Sequence, residues 1–322
     1  MTTSNANRTR TRTRTRALSR LAVAALTAAL VATGTSAVAA DESDKPGAAD
    51  RKAGKLAAEI AKRGAKGAAA DARSAAPNAA EQRALYAFAG GELYGYGLDG
   101  LGGYQAREWL GSGWEFIKNA TQADNDGDGW ADDVWLWDQS GYLHYSSAES
   151  PDSVLVGGGW NIYNHVFSPG NLAGGPGADL LARDSAGALW IYLGHGDGRV
   201  TAPVRIGGGW NVYDRIAGVG DLTGDGRSDI TAVDKSGDLW LYEGTGEHRT
   251  PFKPRAKVGW SWNIYNGVVG VGDLDLDGKS DLIARDKAGA LWRYSGTGQA
   301  AEPFKPRVKI GTNGWNAYRL IF

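Results

Sequence analysis

From Leu85 onward, short runs of apolar and aromatic residues alternate with clusters of Gly, Asp, Asn and Pro. Runs such as SDLIARD, GALWRYSG and FKPRVKI end at turn-forming residues, so they read as β-strands joined by turns. The runs recur. A G-x-L-aromatic-x-Tyr element appears as GELYGY, GYLHY, GALWIY, GDLWLY and GALWRY, with its leucine at Leu93, Leu143, Leu189, Leu239 and Leu291. Trp190, Trp240 and Trp292 follow that leucine in the later copies. Tyr94 and His144 hold the place earlier, and Tyr145 falls one residue early. A second element, GGGWNIYN, GGGWNVYD, SWNIYN and NGWNAYR, is anchored by Trp160, Trp210, Trp262 and Trp315, with GSGWEFIK at Trp114 as a looser copy. The two elements interleave with a period of roughly fifty residues, the mark of a repeat architecture. Between two of the strand-like runs, D-x-x-G recurs at Asp138, Asp184, Asp234 and Asp286. Asp at the first position and Gly at the last suit a type I hairpin connection.

Roughly fifty residues holding about four strands is the size of one β-propeller blade. The repeat region opens with ALYAFAGGELYGYG, which lacks the Trp element, and closes with GTNGWNAYRLIF, which lacks everything after it. The two part-repeats make one whole. The expected fold is therefore all-β: a five-bladed β-propeller over residues 84–322, closed by pairing of the N- and C-terminal part-blades. The split blade takes residues 84–111 and 311–322. The full repeats fall at about 112–156, 157–206, 207–258 and 259–310. An open stack of the same repeats would expose a strand edge at each end.

Between the Trp element and the Leu element lies an acidic loop. Its copies are DNDGDGWAD (124–132), NLAGGPGAD (171–179), DLTGDGRSD (221–229) and DLDLDGKSD (273–281). Oxygens at positions 1, 3 and 5 of a tight loop can point inward, a Gly at 6 permits the turn, and a carbonyl at 7 with a carboxylate at 9 can close a cage. Ca²⁺ takes such a set of hard oxygen ligands. The expected ligands are Asp124, Asp126, Asp128, the Trp130 carbonyl and Asp132; Asp221, Thr223, Asp225, the Arg227 carbonyl and Asp229; and Asp273, Asp275, Asp277, the Lys279 carbonyl and Asp281. That is about three Ca²⁺ sites. The second copy keeps only Asp179 and is expected to hold no tight site. The loops are not EF-hands, because Trp135, Ala232 and Ala284 stand where the bidentate Glu belongs. The competing readings are an Asp/Gly turn without metal, a different hard cation, and an acid–base dyad. Three equivalent copies around a ring argue against catalysis.

The 35 Lys and Arg balance 36 Asp and Glu, so bulk charge suggests neither nucleic acid nor membrane as partner. The 48 Gly and 13 Trp suit a turn-rich β protein, and the absence of Cys excludes disulfides, thiolate metal sites and cysteine nucleophiles. Residues 1–39 combine a basic TRTRTRTRALSR stretch, an apolar stretch and Ala37-Val38-Ala39, the pattern of a secretory signal peptide. An uncleaved anchor is the rival reading. Residues 40–83 are Ala-rich and hold no aromatic residue, so they read as a linker, disordered or partly helical. The only histidines, His144, His165, His195 and His248, form no metal pair, and no G-x-S-x-G or Walker motif occurs.

The D-x-[DT]-x-D-G-x-x-D loops between strands resemble FG-GAP repeats, also called VCBS repeats, of the integrin alpha-subunit propeller type. That resemblance implies Ca²⁺ held by side chains at positions 1, 3, 5 and 9 and a carbonyl at 7. VKIGTNGWNAYRLIF followed by ALYAFAGGELYGYG resembles the repeats of tachylectin-like five-bladed propeller lectins, which implies glycan recognition. The expected function is a secreted, calcium-stabilised, non-catalytic binding module for a glycan or cell-surface polymer, with a glycan or cell-wall polymer as the expected partner. Trp160, Asn161, Trp210, Asn211, Trp262, Asn263, Trp315 and Asn316 are its candidate ligand residues, and inter-blade packing is the competing role for the tryptophans. A protein-interaction or adhesion scaffold on a surface protein, and an accessory to or part of a secreted hydrolase, are the alternatives. A monomer is expected, with no nucleic acid partner and no membrane association after leader removal.

Overall fold

The computed structural model describes residues 80–147 and 153–322. The expected leader and nearly all of the expected linker lie outside the described residues. The described chain forms five four-stranded antiparallel sheets. Blade 1 is split between the two ends of the repeat region. Its order is β20-β1-β2-β3, with β20 (Leu320–Ile321) innermost beside β1 (Leu85–Ala89), then β2 (Glu92–Tyr96) and β3 (Glu108–Ser112). Ala87 pairs with Ile321 and Phe88 with Leu320. Tyr86 and Phe322 exchange backbone bonds of 2.8 and 2.9 Å. The C-terminal strand thus supplies the inner strand that the N-terminal part-blade lacks.

The other four blades are continuous in sequence. Blade 2 comprises β4 (Ile117–Ala123), β5 (Asp133–Asp138), β6 (Leu143–Ser146) and β7 (Val154–Gly157). Blade 3 comprises β8 (Tyr163–Gly170), β9 (Asp179–Asp184), β10 (Leu189–Tyr192) and β11 (Val204–Gly207). Blade 4 comprises β12 (Tyr213–Gly220), β13 (Asp229–Asp234), β14 (Leu239–Tyr242) and β15 (Ala256–Gly259). Blade 5 comprises β16 (Tyr265–Gly272), β17 (Asp281–Asp286), β18 (Leu291–Tyr294) and β19 (Val308–Gly311).

The core is distributed over five inter-blade clusters, each built from two neighbouring blades. Each cluster holds one tryptophan of the repeated element: Trp114, Trp160, Trp210, Trp262 or Trp315. Trp160, Trp210, Trp262 and Trp315 begin single 3₁₀ turns that carry the chain from one blade's outer strand to the next blade's inner strand. Before Trp262 and Trp315, Gly259 and Gly311 make room for the indole. A Cβ on Gly259 would lie 2.7 Å from the Trp262 indole nitrogen. The inner strands of blades 4 and 5 carry glycines where neighbouring inner strands approach closely. A Cβ on Gly218 would fall 2.3 Å from the Ser168 carbonyl, and one on Gly270 would fall 1.9 Å from the Gly218 carbonyl.

The D-x-x-G turns close as expected. Gly187 donates to the Asp184 carbonyl at 3.0 Å, and the homologous bonds at Asp138, Asp234 and Asp286 measure 3.0–3.2 Å. The aspartate side chain adds a second tie. Asp184, Asp234 and Asp286 each accept the indole N–H of Trp190, Trp240 or Trp292 at 2.8–2.9 Å.

Two stretches depart from the expectation. FKPRVKI is not one strand: only Val308–Gly311 belongs to β19, and Phe304 makes a lone bridge to Gly296. Pro306, lacking an N–H, ends the ladder between them. The last four residues of the expected linker are also ordered by contacts. Gln82 bridges to Gly272 of blade 5 and to Trp130 of blade 2, and Arg83 is buried.

Candidate metal centre

The acidic loops join the inner strand of a blade to its second strand, at 124–132, 171–178, 221–228 and 273–280. In blade 1 the inner strand β20 and the second strand β1 come from opposite ends of the repeat region, so no loop joins them. The segment at residues 80–83 occupies the position instead. An added Cβ on Gly170 or Gly220 would meet the hydroxyl of Ser228 or Ser280 in the next blade's loop, whereas on Gly272 it would meet the Glu81 carbonyl. Ala80 donates to the Gly278 carbonyl at 3.2 Å, Asp273 to the Glu81 carbonyl at 2.8 Å, and Gln82 to the Gly129 carbonyl at 2.8 Å. This strap therefore ties the loop of blade 5 to the loop of blade 2.

Position 1 organises each acidic loop. Asp124 accepts the N–H groups of Gly127 (2.7 Å) and Gly129 (2.9 Å). Asp221 accepts those of Gly224, Asp225 and Gly226, and Asp273 those of Asp277 and Gly278. Position 4 takes a left-handed conformation: Gly127, Gly174 and Gly224 have φ of 71–78°, and Leu276 follows them at 61°. A leucine there carries strain that glycine avoids.

Position 9 is an anchor. Both oxygens of Asp281 are engaged, Oδ2 by the N–H groups of Leu274 (3.0 Å) and Asp275 (3.2 Å), Oδ1 by that of Gly296 (2.8 Å). Asp229 repeats the pattern with Leu222, Thr223 and Gly244. So does Asp179 with Leu172, Ala173 and Gly194. The lone carboxylate of the second loop thus has a structural role: Asp179 pins the loop to the blade. In blade 2 the anchor is Asp133. It accepts the Asn125 N–H at 3.0 Å and pairs with Ala123 as Asp281 pairs with Gly272. Counting forward from Asp124 selects Asp132, whereas counting back from the strand at Val134 finds Asp133. Asp132 remains near enough to Asp124, Asp126 and Asp128 for their charges to raise its pKa.

Two groups of carboxylates converge. Ligand atoms of Asp124, Asp126 and Asp128 lie within 4.8 Å of one another, and so do those of Asp273, Asp275 and Asp281. These are the loops of blades 2 and 5, the two that the strap joins. Asp277 instead turns to Lys305 at 2.6 Å, and its counterpart Asp225 lies 3.4 Å from Lys253. Asp221, Asp225 and Asp229 form no such cluster among the described residues. The PFKPR stretches at 251–255 and 303–307 carry both lysines. Their repetition was the signal available for these ion pairs. Asp275 Oδ2 accepts the Ser295 hydroxyl at 2.7 Å and faces Arg293 at 3.3 Å. Asp275 Oδ1 is buried and has no hydrogen-bond partner among the described residues. Trp130 lies half-buried in the strap bridge, and the amides of Arg227 and Lys279 are taken by Asp225 and Asp277.

Burial and mutual repulsion raise these carboxyls. Asp124 is pushed to about 7 by burial and the Glu81 charge, Asp132 to about 7 by burial and Asp133, and Asp281 to about 7 by burial. Burial carries Asp229 to about 6. The folded chain thus holds protons that the unfolded chain releases near the ordinary carboxyl value of about 4. Folded carboxyls above that value make stability fall as pH rises. In metal-free buffer the melting temperature is expected to drop between pH 5 and pH 8, read by circular dichroism. A rise over that interval would contradict the electrostatic picture.

Three of the four tryptophans expected to stack on sugars have no open face. Trp160, Trp210 and Trp262 are 5–7% exposed and pack on Tyr192, Tyr242 and Tyr294 at ring distances of 4.6–4.9 Å. Trp315 is half-buried against Tyr96. Asn211 and Asn316 are exposed but donate to the Ser185 and Lys287 carbonyls of the neighbouring hairpin. Asn161 and Asn263 sit against Gly141 and Gly237 of the neighbouring hairpins. These residues weld blades together. Indoles open to solvent lie elsewhere, at Trp260 (76% exposed) and Trp109 (57%).

Residues 221–284, which include the third and fourth loops, match the FG-GAP-like repeat family model. No curated protein matches the chain in sequence. Among solved structures the chain is similar to the BP39L lectin from Burkholderia pseudomallei, at 15% identity over 70% of this chain and 68% of that one, with a TM-score of 0.44. It is similar to AofleA from Arthrobotrys oligospora, at 8% identity over 73% of each chain and a TM-score of 0.43. It is also similar to Prp20p from Saccharomyces cerevisiae, at 12% identity and a TM-score of 0.35 over 69% of this chain, which spans 59% of the yeast protein.

Proposed function

We propose that this chain is a secreted, calcium-stabilised, non-catalytic propeller that binds a glycan or cell-surface polymer. The observation that carries the ion assignment is Asp275 Oδ1, buried without a partner among the described residues, beside Asp273 and Asp281. A buried carboxylate oxygen with nothing to accept is costly, and a hard cation suits an all-oxygen donor set. Asp273, Asp275 and Asp281, with Asp277 and the Lys279 carbonyl, would hold one ion. Asp124, Asp126, Asp128, Asp132 and the Trp130 carbonyl would hold a second. Asp221, Thr223, Asp225, Asp229 and the Arg227 carbonyl are the third set, which would have to draw Asp225 from Lys253. When bound, calcium cancels the repulsion among these carboxylates.

A binding role fits a scaffold that presents the same loops blade after blade, since several weak contacts to a polymer add by avidity. Trp260 and Trp109 offer open indole faces for stacking on sugar rings. His144 takes the place of the blade tryptophans, 3.8 Å from Asp138. Retention on chitin or peptidoglycan is expected in calcium, weakened at least about fivefold in Trp260→Ala, a loss in the range of a stacked aromatic contact. No retention on either polymer, and no binding on a glycan array, would sink the glycan assignment. One observation favours a protein partner as the second reading: Ile162, Val212 and Ile264 stand 43–60% exposed at equivalent positions of successive blade connections. A crosslinked protein partner recovered without glycan binding would select it.

A further inference from the structure

The axial channel is a second place where the structure concentrates unbalanced charge, and its sign is opposite to that of the acidic loops. Inner-strand residues of all five blades line a cavity of about 280 Å³. At the end near the hairpins, every blade junction is crossed by one cation that donates to a main-chain carbonyl of the next blade. Lys118 reaches the Tyr163 carbonyl at 2.8 Å, Arg183 that of Tyr213 at 2.7 Å, and Arg215 that of Trp262 at 3.5 Å. Arg285 reaches the Tyr318 carbonyl at 2.8 Å, and Arg319 that of Trp114 at 2.9 Å.

Carbonyls occupy donors without cancelling charge. Among the described residues Asp214 is the one carboxylate lining the cavity, against Arg83, Arg215, Arg285 and Arg319, and Arg83 is already paired with Glu81. Burial holds the Arg285 and Arg319 guanidinium groups below their ordinary basicity, with no carboxylate opposing that shift. Arg215 Nε is buried and has no hydrogen-bond partner among the described residues. Its bond to the Trp262 carbonyl, at 3.5 Å, is the longest of the five ties, so Arg215 contributes least to blade cohesion and has the most donor capacity left. The wall also carries Asn119 and the His165 ring, whose pKa burial lowers to about 4, leaving it neutral.

We propose that the hairpin-side mouth of the channel is an oxyanion-binding site, with Arg215, Arg285 and Arg319 as the binding residues and Asp214 as a built-in competitor. The ligand class is a sulfate-, phosphate- or carboxylate-type group, planar or tetrahedral, for which guanidinium forks are suited. It is free in solution or borne on a polymer. The site is independent of the acidic loops, which lie at the other end of the inner strands, so it stands or falls apart from the calcium assignment.

Sulfate is the probe, titrated into the full chain by calorimetry in calcium-containing buffer, with chloride matched in ionic strength. Sulfate is expected to bind and to raise the melting temperature beyond the chloride control, as a ligand of the native state must. Arg215→Met, which keeps the stem and removes the weakest tie, should melt near wild type and lose at least about tenfold in sulfate affinity, as expected for one charge-assisted contact. Asp214→Asn is the decisive variant: it should tighten sulfate at least about threefold by removing an opposing charge, an effect that a purely structural role would not produce. Dextran sulfate against neutral dextran distinguishes the sources: affinity well above that of free sulfate, and lost in Arg215→Met, assigns a polymer-borne group, whereas equal affinity assigns a small anion. Sulfate binding no greater than chloride, or an affinity unchanged in both Arg215→Met and Asp214→Asn, would overturn the proposal.

Discussion

Removing residues 319–322 is expected to abolish cooperative folding of the propeller or to lower its melting temperature by more than about 12 °C, the shift that several kcal/mol produces in a domain of this size. Four losses coincide. The inner strand of blade 1 disappears, so β1 loses its ladder with Leu320 and Ile321 and becomes an open edge. The paired bonds between Tyr86 and Phe322 go, leaving buried backbone groups unsatisfied. Phe322, which stacks on Phe88 at 5.4 Å and packs on Tyr86 at 5.7 Å, leaves a hole in the cluster between blades 1 and 2. Arg319 no longer ties blade 1 to the Trp114 carbonyl. Burying a large aromatic alone is worth about 3–5 kcal/mol by truncation, against a typical domain stability of about 5–15 kcal/mol. Phe322→Ala, which keeps the strand, should show the milder version of the same loss. A truncated chain that melts within a few degrees of the whole would mean that the ring closes by some other contact.

The second large effect separates anchoring from ion binding within one loop. Asp281→Ala removes the acceptor of three backbone N–H groups at a fully buried position. Losing such a set should cost about 3 kcal/mol or more, since each buried donor left unmade costs on the order of 1–3 kcal/mol. That loss is expected already without calcium, and in calcium the loss of an ion ligand adds to it. Asp275→Asn keeps an acceptor for the Ser295 hydroxyl and weakens the pairing with Arg293, so its metal-free cost should stay near about 1–2 kcal/mol. It should abolish most of the response of blade 5 to calcium. Asp179→Ala, in the loop with no other carboxylate, should match Asp281→Ala in metal-free stability and leave the calcium response intact. Equal behaviour of all three variants in chemical denaturation, with and without calcium, would show that the loops do not divide the labour in this way.

Much of this architecture is legible in the sequence, because each repeat states its own boundaries. The Leu and Trp elements give the number of blades, and the complementary ends at ALYAFAGGELYGYG and GTNGWNAYRLIF mark the split one. Loop spacing locates the carboxylates that the structure gathers at Asp124, Asp126 and Asp128 and at Asp273, Asp275 and Asp281. Three features are hidden for physical reasons. The strap at residues 80–83 binds mainly through its backbone, which leaves no side-chain pattern to read. Asp133 replaces Asp132 as the anchor because blade 2 carries one more residue in its loop, and only strand register reveals it. The tryptophans beside conspicuous asparagines resemble a sugar platform, but their rings fill the seams between blades. Aromatic content cannot distinguish a wall from a seam without knowing which face the backbone turns inward.

The strap gives the ion assignment a mechanical consequence. Both carboxylate clusters lie on the two blades that flank the split one, and residues 80–83 hydrogen-bond to both loops. Ordering either loop therefore also holds the chain segment that leads into β1. The most direct measurement is the thermal unfolding of the whole chain at pH 8 in millimolar calcium and in excess chelator. Calcium-stabilised loops predict a melting temperature higher in calcium by more than about 5 °C, as expected for native-state ligands well above their dissociation constants, with the difference reversed on adding chelator. Superimposable melts in calcium and chelator would contradict it.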